Sequence, residues 1–346
     1  MRDKKTVFVL GAGASCPYGF PSGARLRELI CLDIGFISYY REYLGKNKID
    51  QAEAMKRDAQ RFKDAFTKSH IKSIDVFMAN NPKLAPIGKY IVAFEVFRAE
   101  QQSCYGEEAK QKQEQRREPT SSRSRKDCIL GTSDFIGGDW YSYLYNRLIV
   151  RLVGKNALMD FSSGEIAFIT FNYDRSIEHF FYESLRNSFK EVPEDNIVQT
   201  VSQLKILHVY GRIMPLKWQD SNEGVDYKPQ EISESLLQNA ASNIKTIYEQ
   251  KESSELIEAQ GLLEQAEQIF FLGFGYAPEN MDVLGLSGLI PRSCQVYGTA
   301  YRLETKEIND IRDRIVMGLN GGFTDSNLNR VSIENVDCLK LLRDQL

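Results

Sequence analysis

The sequence lacks three features that would each place it in a large class of proteins. Its six cysteines, at positions 16, 31, 104, 128, 294 and 338, form no Cys-x-x-Cys pair, so the usual structural zinc pattern is missing. No apolar run approaches the roughly 20 residues of a membrane span. The net charge of −3 gives no electrostatic reason to expect nucleic acid as a direct ligand. We therefore expect a cytoplasmic protein with reduced cysteines, no bound metal and no membrane contact.

Short apolar and β-branched runs alternate along the chain with segments of helical periodicity. Strands that alternate with helices form parallel sheets covered on both faces, so the pattern predicts an α/β fold, Rossmann-like and doubly wound, with a mainly parallel sheet. The chain enters its first strand almost at once, unlike a signal peptide. Ser22 is placed to cap the next helix, and a later helix is predicted near 244–249. The predicted strands are 6–10, 166–171, 204–209, 268–272, 293–298 and 330–333.

A long helical segment interrupts this alternation after the first strand and helix. Aromatic and aliphatic residues recur there at three- and four-residue spacing. We predict a Rossmann-like domain formed by residues 1–34 and 160–346, with a helical insertion or small domain at 35–159. Within the insertion, 106–127 is polar, basic and aperiodic, which is typical of a flexible surface loop. A basic contact for a partner is the alternative interpretation of that loop.

Ligands of doubly wound sheets bind beyond the carboxyl ends of the strands, where the strand order reverses. His208 ends its predicted strand, and polar or glycine-rich segments follow four of the strands. These segments are GAGAS (11–15), NYD (172–174), YGR (210–212) and GFGY (273–276). Because they converge on one edge of the sheet, we expect them to form a binding site.

The glycine turn at 11–13 has two possible readings. Glycine lacks a Cβ, so backbone amides there can approach phosphate oxygens, but such turns are also common as purely structural features. A hydride-transferring dehydrogenase is not favoured. Cys16 stands where the third glycine of its motif is needed, and Pro17 and Pro21 interrupt the helix that should follow.

The ordered set of these motifs resembles the sirtuin-like (SIR2-like) NAD-binding domains. GAGAS is followed by GFPSG, then TFNYD, then a histidine near a glycine after the next strand, then LGFGY. The segments that most resemble the bacterial antiphage-defence branch of this family are SIDVF (73–77), FITFNYDRSIE (168–178), ILHVYGRI (206–213) and FLGFGYAPENM (271–281). Deacylating sirtuins carry a zinc ribbon with two Cys-x-x-Cys pairs, which is missing here. The resemblance therefore implies hydrolysis of NAD⁺ as substrate, without a metal, rather than deacylation.

The resemblance also implies roles for individual residues. The catalytic asparagine of the family corresponds to Asn172, its acidic residue to Asp174 and its histidine to His208. Residues two apart on a strand face the same way, so Tyr210 also fits the place of that histidine. The proline-glycine segment after the first strand would cover the nicotinamide end of NAD⁺. The NAD-binding residues implied are Gly11, Ala12, Gly13, Ser15, Phe20, Pro21, Thr170, Tyr210, Gly211, Gly273, Phe274, Gly275 and Asn280.

The chemistry of the nicotinamide–ribose bond suits these side chains. Cleavage builds oxocarbenium character on the ribose while a neutral group leaves, so a polar amide and a base are needed but no acid. Asn172 would hold water or ribose hydroxyls, and His208 would act as the base, since histidine titrates near neutral pH. The alternatives are a buried structural role for His208, a helix cap for Asp174 and a turn former for Asn172.

The expected function is that of an NAD⁺ glycohydrolase effector that depletes NAD⁺ in antiphage defence by abortive infection. A free enzyme of this kind would kill its host. The resemblance therefore implies control by homo-oligomerisation or by a separately encoded partner, such as an ATPase, an Argonaute or a nucleotide-processing protein. The alternative functions are a non-catalytic sensor that binds ADP-ribose or a related nucleotide, and an ADP-ribosyltransferase.

Overall fold

A six-stranded, all-parallel sheet forms the centre of the protein in this computed structural model. The strands are β1 (Thr6–Leu10), β2 (Ile166–Thr170), β3 (Lys205–His208), β4 (Gln268–Leu272), β5 (Gln295–Thr299) and β6 (Val331–Glu334). Their spatial order is β3-β2-β1-β4-β5-β6, so the order reverses between β1 and β4. This topology confirms the predicted α/β, Rossmann-like, doubly wound fold, and the predicted strands agree with the observed ones within two residues at either end.

The structure describes residues 4–32, 36–37, 49–103, 138–149, 158, 165–247, 249, 253–286 and 288–346. The loop predicted at 106–127 lies outside these residues. So does part of the predicted insertion at 35–159, and its boundaries stay a prediction.

Helices cover both faces of the sheet. In chain order the described helices are α1 (Ala12–Ser15), α2 (Gly23–Leu32), α3 (Ile49–Ser69), α4 (Ile74–Asn80), α5 (Ala85–Gln102), α6 (Trp140–Ile149), α7 (Ser176–Ser188), α8 (Glu194–Ser202), α9 (Glu234–Asn243), α10 (Ser254–Glu264), α11 (Pro278–Leu284), α12 (Thr305–Gly318), α13 (Asp325–Leu328) and α14 (Cys338–Gln345). None of them is long and apolar enough to cross a bilayer.

The central strands are buried on both faces, which explains why their sequences are continuous apolar runs. Every residue of β1 is buried, and the Phe8 ring stacks on Phe168 of β2 and Phe270 of β4 at centroid distances of 5.3 and 5.4 Å. These rings lie beside one another across three adjacent strands. The core therefore fixes the register of the strands whose ends form the candidate site.

The proline-glycine segment after β1 consists of short helical turns rather than an open loop. The turn α1 is followed by a single 3₁₀ turn, Cys16–Tyr18, in which Pro17 occupies a first-turn position where its missing N–H costs little. Gly19 ends this turn with a φ of 99°. The long helix begins only at α2, where the Arg25 amide donates to Ser22 Oγ at 3.2 Å, as the predicted cap requires.

The prediction of a helix near 244–249 is wrong, because the helix of this region is α9, which ends at Asn243. Ser233 starts it by accepting a hydrogen bond from the Leu236 amide at 3.2 Å. After α9 the backbone is extended at Ile244, and the Lys245 amide donates to the Tyr210 carbonyl oxygen at 2.9 Å. This contact across the fold holds the segment in an extended form.

Arg175 joins the helical segment to the sheet through a fully buried ion pair. Its Nε and Nη2 donate to the two carboxylate oxygens of Glu100, at 3.0 and 2.9 Å, and both side chains are 0% exposed. The remaining donors bind the carbonyl oxygens of Pro215, Val225 and Asp226 at 2.8–3.0 Å. Arg175 precedes α7 and Glu100 lies on α5, so this charge connects three parts of the chain.

Substitution of Arg175 by alanine is expected to cost about 3–5 kcal/mol of the free energy of unfolding, because the Glu100 carboxylate would be left buried without its counter-ion. The matched control is Arg61→Ala on α3, whose side chain is 75% exposed and whose partner Asp58 is 3.6 Å away. That change is expected to cost less than about 0.5 kcal/mol. Urea unfolding measures both, and similar small losses for the two variants would contradict the role assigned to Arg175.

Candidate functional site

The carboxyl ends of four strands lie at the same level of the sheet. Thr170 pairs with both Leu10 and His208, and Leu10 pairs with Leu272. The segments that follow these strands therefore begin side by side, at the edge where the strand order reverses.

Asn172 lies at the centre of these segments, with its side chain buried. Its Nδ2 donates to the Gly11 carbonyl oxygen and to Ser15 Oγ, both at 3.0 Å, and its backbone amide donates to Thr170 Oγ1 at 3.1 Å. Its Oδ1 is buried and has no hydrogen-bond partner in the part of the chain that the structure describes. The two Nδ2 bonds fix the amide plane and leave its oxygen as an acceptor for a ligand hydroxyl or a water molecule.

His208 is held at both ring nitrogens. Its Nδ1 lies 2.9 Å from the Asn172 carbonyl oxygen and its Nε2 lies 2.8 Å from Glu178 Oε1. Both contact atoms, a backbone carbonyl oxygen and a carboxylate oxygen, are hydrogen-bond acceptors. His208 thus positions the Asn172 backbone, and its predicted role as a base would require release of the Glu178 contact.

Glu178 is a buried carboxylate whose charge is stabilised by its neighbours. Burial raises its pKa, but the charges of His208 and Arg212 and the hydrogen bond from His208 outweigh this, and the pKa falls to about 2. Arg212 Nη1 lies 3.2 Å from the same oxygen that binds His208. Glu178 therefore remains ionised at neutral pH and keeps His208 in place.

Asp174 lies just before the N-cap residue of α7, Arg175, and binds the first residue of the helix. Its Oδ1 accepts hydrogen bonds from the Ser176 amide at 3.1 Å and from Ser176 Oγ. Burial is the main reason that the pKa of Asp174 is raised. Asp174 therefore satisfies the first amide of α7 although Arg175 holds the N-cap position, and the catalytic role of Asp174 stays a prediction.

The two glycine turns after β1 and β4 pack backbone against backbone. A Cβ on Gly11 would lie 2.7 Å from the Gly273 carbonyl oxygen, and a Cβ on Gly273, whose φ is +55°, would lie 2.0 Å from the Ala14 nitrogen. The Gly13 amide donates to the Gly273 carbonyl oxygen at 3.0 Å, and the Ala14 amide donates to that of Gly11 at 2.9 Å. These amides could bind a phosphate only by leaving their present acceptors, so the predicted phosphate role stays a prediction.

A second group of predicted residues lies around the ring of Phe171. The rings of Tyr210 and Phe274 contact it edge-on, at centroid distances of 5.4 and 5.1 Å. The Tyr210 hydroxyl donates to Asn280 Oδ1 at 2.8 Å. The structure therefore brings these predicted residues together as an aromatic layer beside the Asn172 loop.

The remaining predicted residues are divided between packing and exposed positions. Phe20 and Pro21 are buried within the segment after β1, whereas Ala12 is half-buried. Gly211 has a packing role, because a Cβ there would lie 2.0 Å from the Asn243 carbonyl oxygen. Gly275 is exposed, and no atom lies within 4 Å of the position that its Cβ would occupy.

Arg212 lies in the predicted YGR segment, but the sequence assigned no role to it or to Glu178, which contacts both Arg212 and His208. The available signal was the position of Glu178, in the first turn of the helix that follows the asparagine motif. A carboxylate there points back toward strand ends, but its pairing with a histidine 30 residues away is visible only in the fold.

Glu178→Gln is expected to flatten the acid dependence of stability. The pKa of Glu178 is depressed on folding, from 4.5 to about 2, so its stabilisation is present above pH 4.5 and is lost as the pH falls toward 2. Urea unfolding at several pH values measures this. The slope between pH 4.5 and 2 is expected to be shallower in the variant than in the wild type, and equal slopes would contradict the ion pair.

Gly273→Ala and Gly275→Ala compare a glycine that packs against backbone with one that has open space around it. The first places a Cβ against backbone at a positive φ and is expected to cost about 2 kcal/mol or more, whereas the second is expected to stay within about 0.5 kcal/mol of the wild type. Urea unfolding of the two variants checks this difference. Equal stability of both variants would show that the turns do not pack as described.

Comparisons with known proteins do not assign the chain to a family. No protein-family model matches the sequence, and no curated protein matches it significantly. In the described part of the chain, no three His, Cys, Asp or Glu side chains are grouped as a metal site. The resemblance to sirtuin-like domains therefore rests on the ordered motifs and stays a prediction.

Proposed function

We propose that the protein is an NAD⁺ glycohydrolase that cleaves NAD⁺ to nicotinamide and ADP-ribose. The observation that carries this proposal is the buried Asn172 Oδ1, which has no partner among the described residues and lies beside the glycine turn after β1. An unpaired buried acceptor costs free energy, and a ligand hydroxyl or a water molecule that donates to it would remove this cost.

The chemistry of the bond matches such an acceptor. As the nicotinamide leaves, positive charge develops on the ribose and its hydroxyls become stronger donors. A fixed amide oxygen stabilises that charge without reorganising, because Gly11 and Ser15 already hold the Nδ2 side of the same amide. Asn172 would therefore favour the transition state over the bound substrate.

The position in the fold supports a dinucleotide as the ligand. Sheets of this strand order bind dinucleotides in the crevice where the order reverses, here between β1 and β4. The Asn172 side chain contacts the segment after β1, and the aromatic layer of Tyr210 and Phe274 connects the segments after β3 and β4. An extended ligand lying along this edge would contact all of them.

A non-catalytic nucleotide sensor is the second candidate. The observation that favours it is that both His208 ring nitrogens already contact protein groups, the Asn172 carbonyl oxygen and Glu178 Oε1. A sensor would bind ADP-ribose or NAD⁺ and return it intact. The role in antiphage defence, transfer to a protein acceptor, and control by oligomerisation or a partner protein stay predictions from the resemblance.

Asn172→Ala is expected to lower nicotinamide release by about 10²- to 10³-fold, the usual effect of removing one preorganised polar group. Purified protein is incubated with NAD⁺, alone and with candidate activators encoded beside it, and free nicotinamide is measured. The matched control is Asn187→Ala at an exposed position on α7, which should release nicotinamide at the wild-type rate. Thermal unfolding confirms that both variants are folded.

The assay also separates the two candidate functions. No nicotinamide release by the wild-type protein under any condition, with the bound nucleotide recovered intact, would favour the sensor. Wild-type release that Asn172→Ala leaves unchanged would contradict the role of Asn172.

A further inference from the structure

The SIDVF motif brings a carboxylate from the helical segment to the loop that carries Asn172. Ser73 caps α4 by accepting a hydrogen bond from the Val76 amide at 3.3 Å, and Asp75 lies in the first turn of this helix. Asp75 Oδ1 accepts a hydrogen bond from the hydroxyl of Tyr173, the residue directly after Asn172. Asp75 is therefore tied to the candidate site although it is far from it in sequence.

Groups from several elements face Asp75. Glu279, in the first turn of α11 after β4, repels its negative charge. The charges of Asp75 and Glu279 add to the effect of burial in raising the pKa of Tyr210, whose hydroxyl donates to Asn280 Oδ1. The charge of Glu249 contributes to the raised pKa of Tyr173. Glu249 itself forms an ion pair with Lys89 of α5, at a distance of 2.8 Å between Oε2 and Nζ. Two carboxylates thus flank two tyrosines that follow β2 and β3.

Asp75 is the carboxylate of this region that is suited to exchange a proton. Burial raises its pKa to about 6, with a further contribution from Glu279, while the Tyr173 hydrogen bond opposes the shift. The residue as a whole is half-buried, so its surroundings are not fully closed although the carboxylate itself is buried. A general base works best when its pKa is near the working pH. By contrast, Glu178 is held ionised by His208 and Arg212, and Asp174 is occupied by two hydrogen bonds from Ser176.

We propose that Asp75 is the general base that accepts the proton of the attacking water, with Tyr173 orienting its carboxylate. This inference rests on the proposed NAD⁺ hydrolysis. The water oxygen forms a bond to C1′ of the ribose as the bond from C1′ to the pyridine nitrogen breaks. The electron pair of that bond stays on the neutral nicotinamide, and the proton from the water passes to Asp75 and then to solvent. The helical segment thereby contributes a catalytic residue.

The test measures nicotinamide release from pH 5 to 9 for the wild type and for Asp75→Asn, which keeps an acceptor for the Tyr173 hydroxyl. The wild-type rate is expected to fall about tenfold per pH unit below pH 6, because the protonated carboxyl cannot accept a proton. Asp75→Asn is expected to lose at least about 10²-fold in rate and to lose this acid limb. Asp75→Glu should restore part of the rate and the acid limb. Asp58→Asn, on the exposed face of α3, is the matched control.

Thermal unfolding at pH 8 provides a second measurement. Because the pKa of Asp75 is raised in the folded protein, its ionised form lowers the stability of that protein at pH 8. Asp75→Asn removes this charge and should therefore unfold at an equal or higher temperature than the wild type. A purely structural residue would lower that temperature when replaced.

The outcomes distinguish this inference from the proposed function. If the wild type releases no nicotinamide under any condition, both are overturned. If the wild type releases nicotinamide and Asp75→Asn keeps its rate or its acid limb, only the inference about Asp75 is overturned.

Discussion

A single buried cation, the guanidinium of Arg175, holds three parts of the protein in one arrangement. Its donors are satisfied by the Glu100 carboxylate on α5 and by carbonyl oxygens of the segment between β3 and α9. A buried charge is tolerated only when it is paired and fully hydrogen-bonded, so none of these partners can move without a large cost. Because Arg175 directly follows the Asn172 loop, that loop is held rigidly between the sheet and the helical segment.

A series of hydrogen bonds fixes the polar groups of the site relative to this loop. Glu178 holds His208, His208 holds the Asn172 backbone, and Gly11 and Ser15 hold the Asn172 amide. Each of these hydrogen bonds restricts the side chain or backbone group that it binds to one orientation. Such preorganisation is what electrostatic catalysis requires, because the dipoles need not reorient as charge develops. The same rigidity would serve a nucleotide sensor, which is why the assignment of function depends on measured turnover.

The sequence predicted the sheet well, because apolar runs, alternation with helices and glycine turns are local signals. It located Asn172, His208 and the two glycine turns at one edge, since parallel strands share their carboxyl edge. It did not reveal why Gly11 and Gly273 are glycines, because their contact joins backbones about 260 residues apart in the chain. The orientation of the His208 ring likewise depends on Glu178, and the end of α9 depends on a hydrogen bond to Tyr210, which are tertiary contacts.

The most direct test of the Asn172 site is a crystal structure with an NAD⁺ analogue in which a methylene replaces the ring oxygen of the nicotinamide ribose, so that the glycosidic bond cannot be cleaved. We expect the dinucleotide in the crevice between β1 and β4, with an atom or hydroxyl of the sugar ring within about 3–3.5 Å of Asn172 Oδ1. An analogue bound elsewhere, or bound with Asn172 Oδ1 still without a partner, would contradict it.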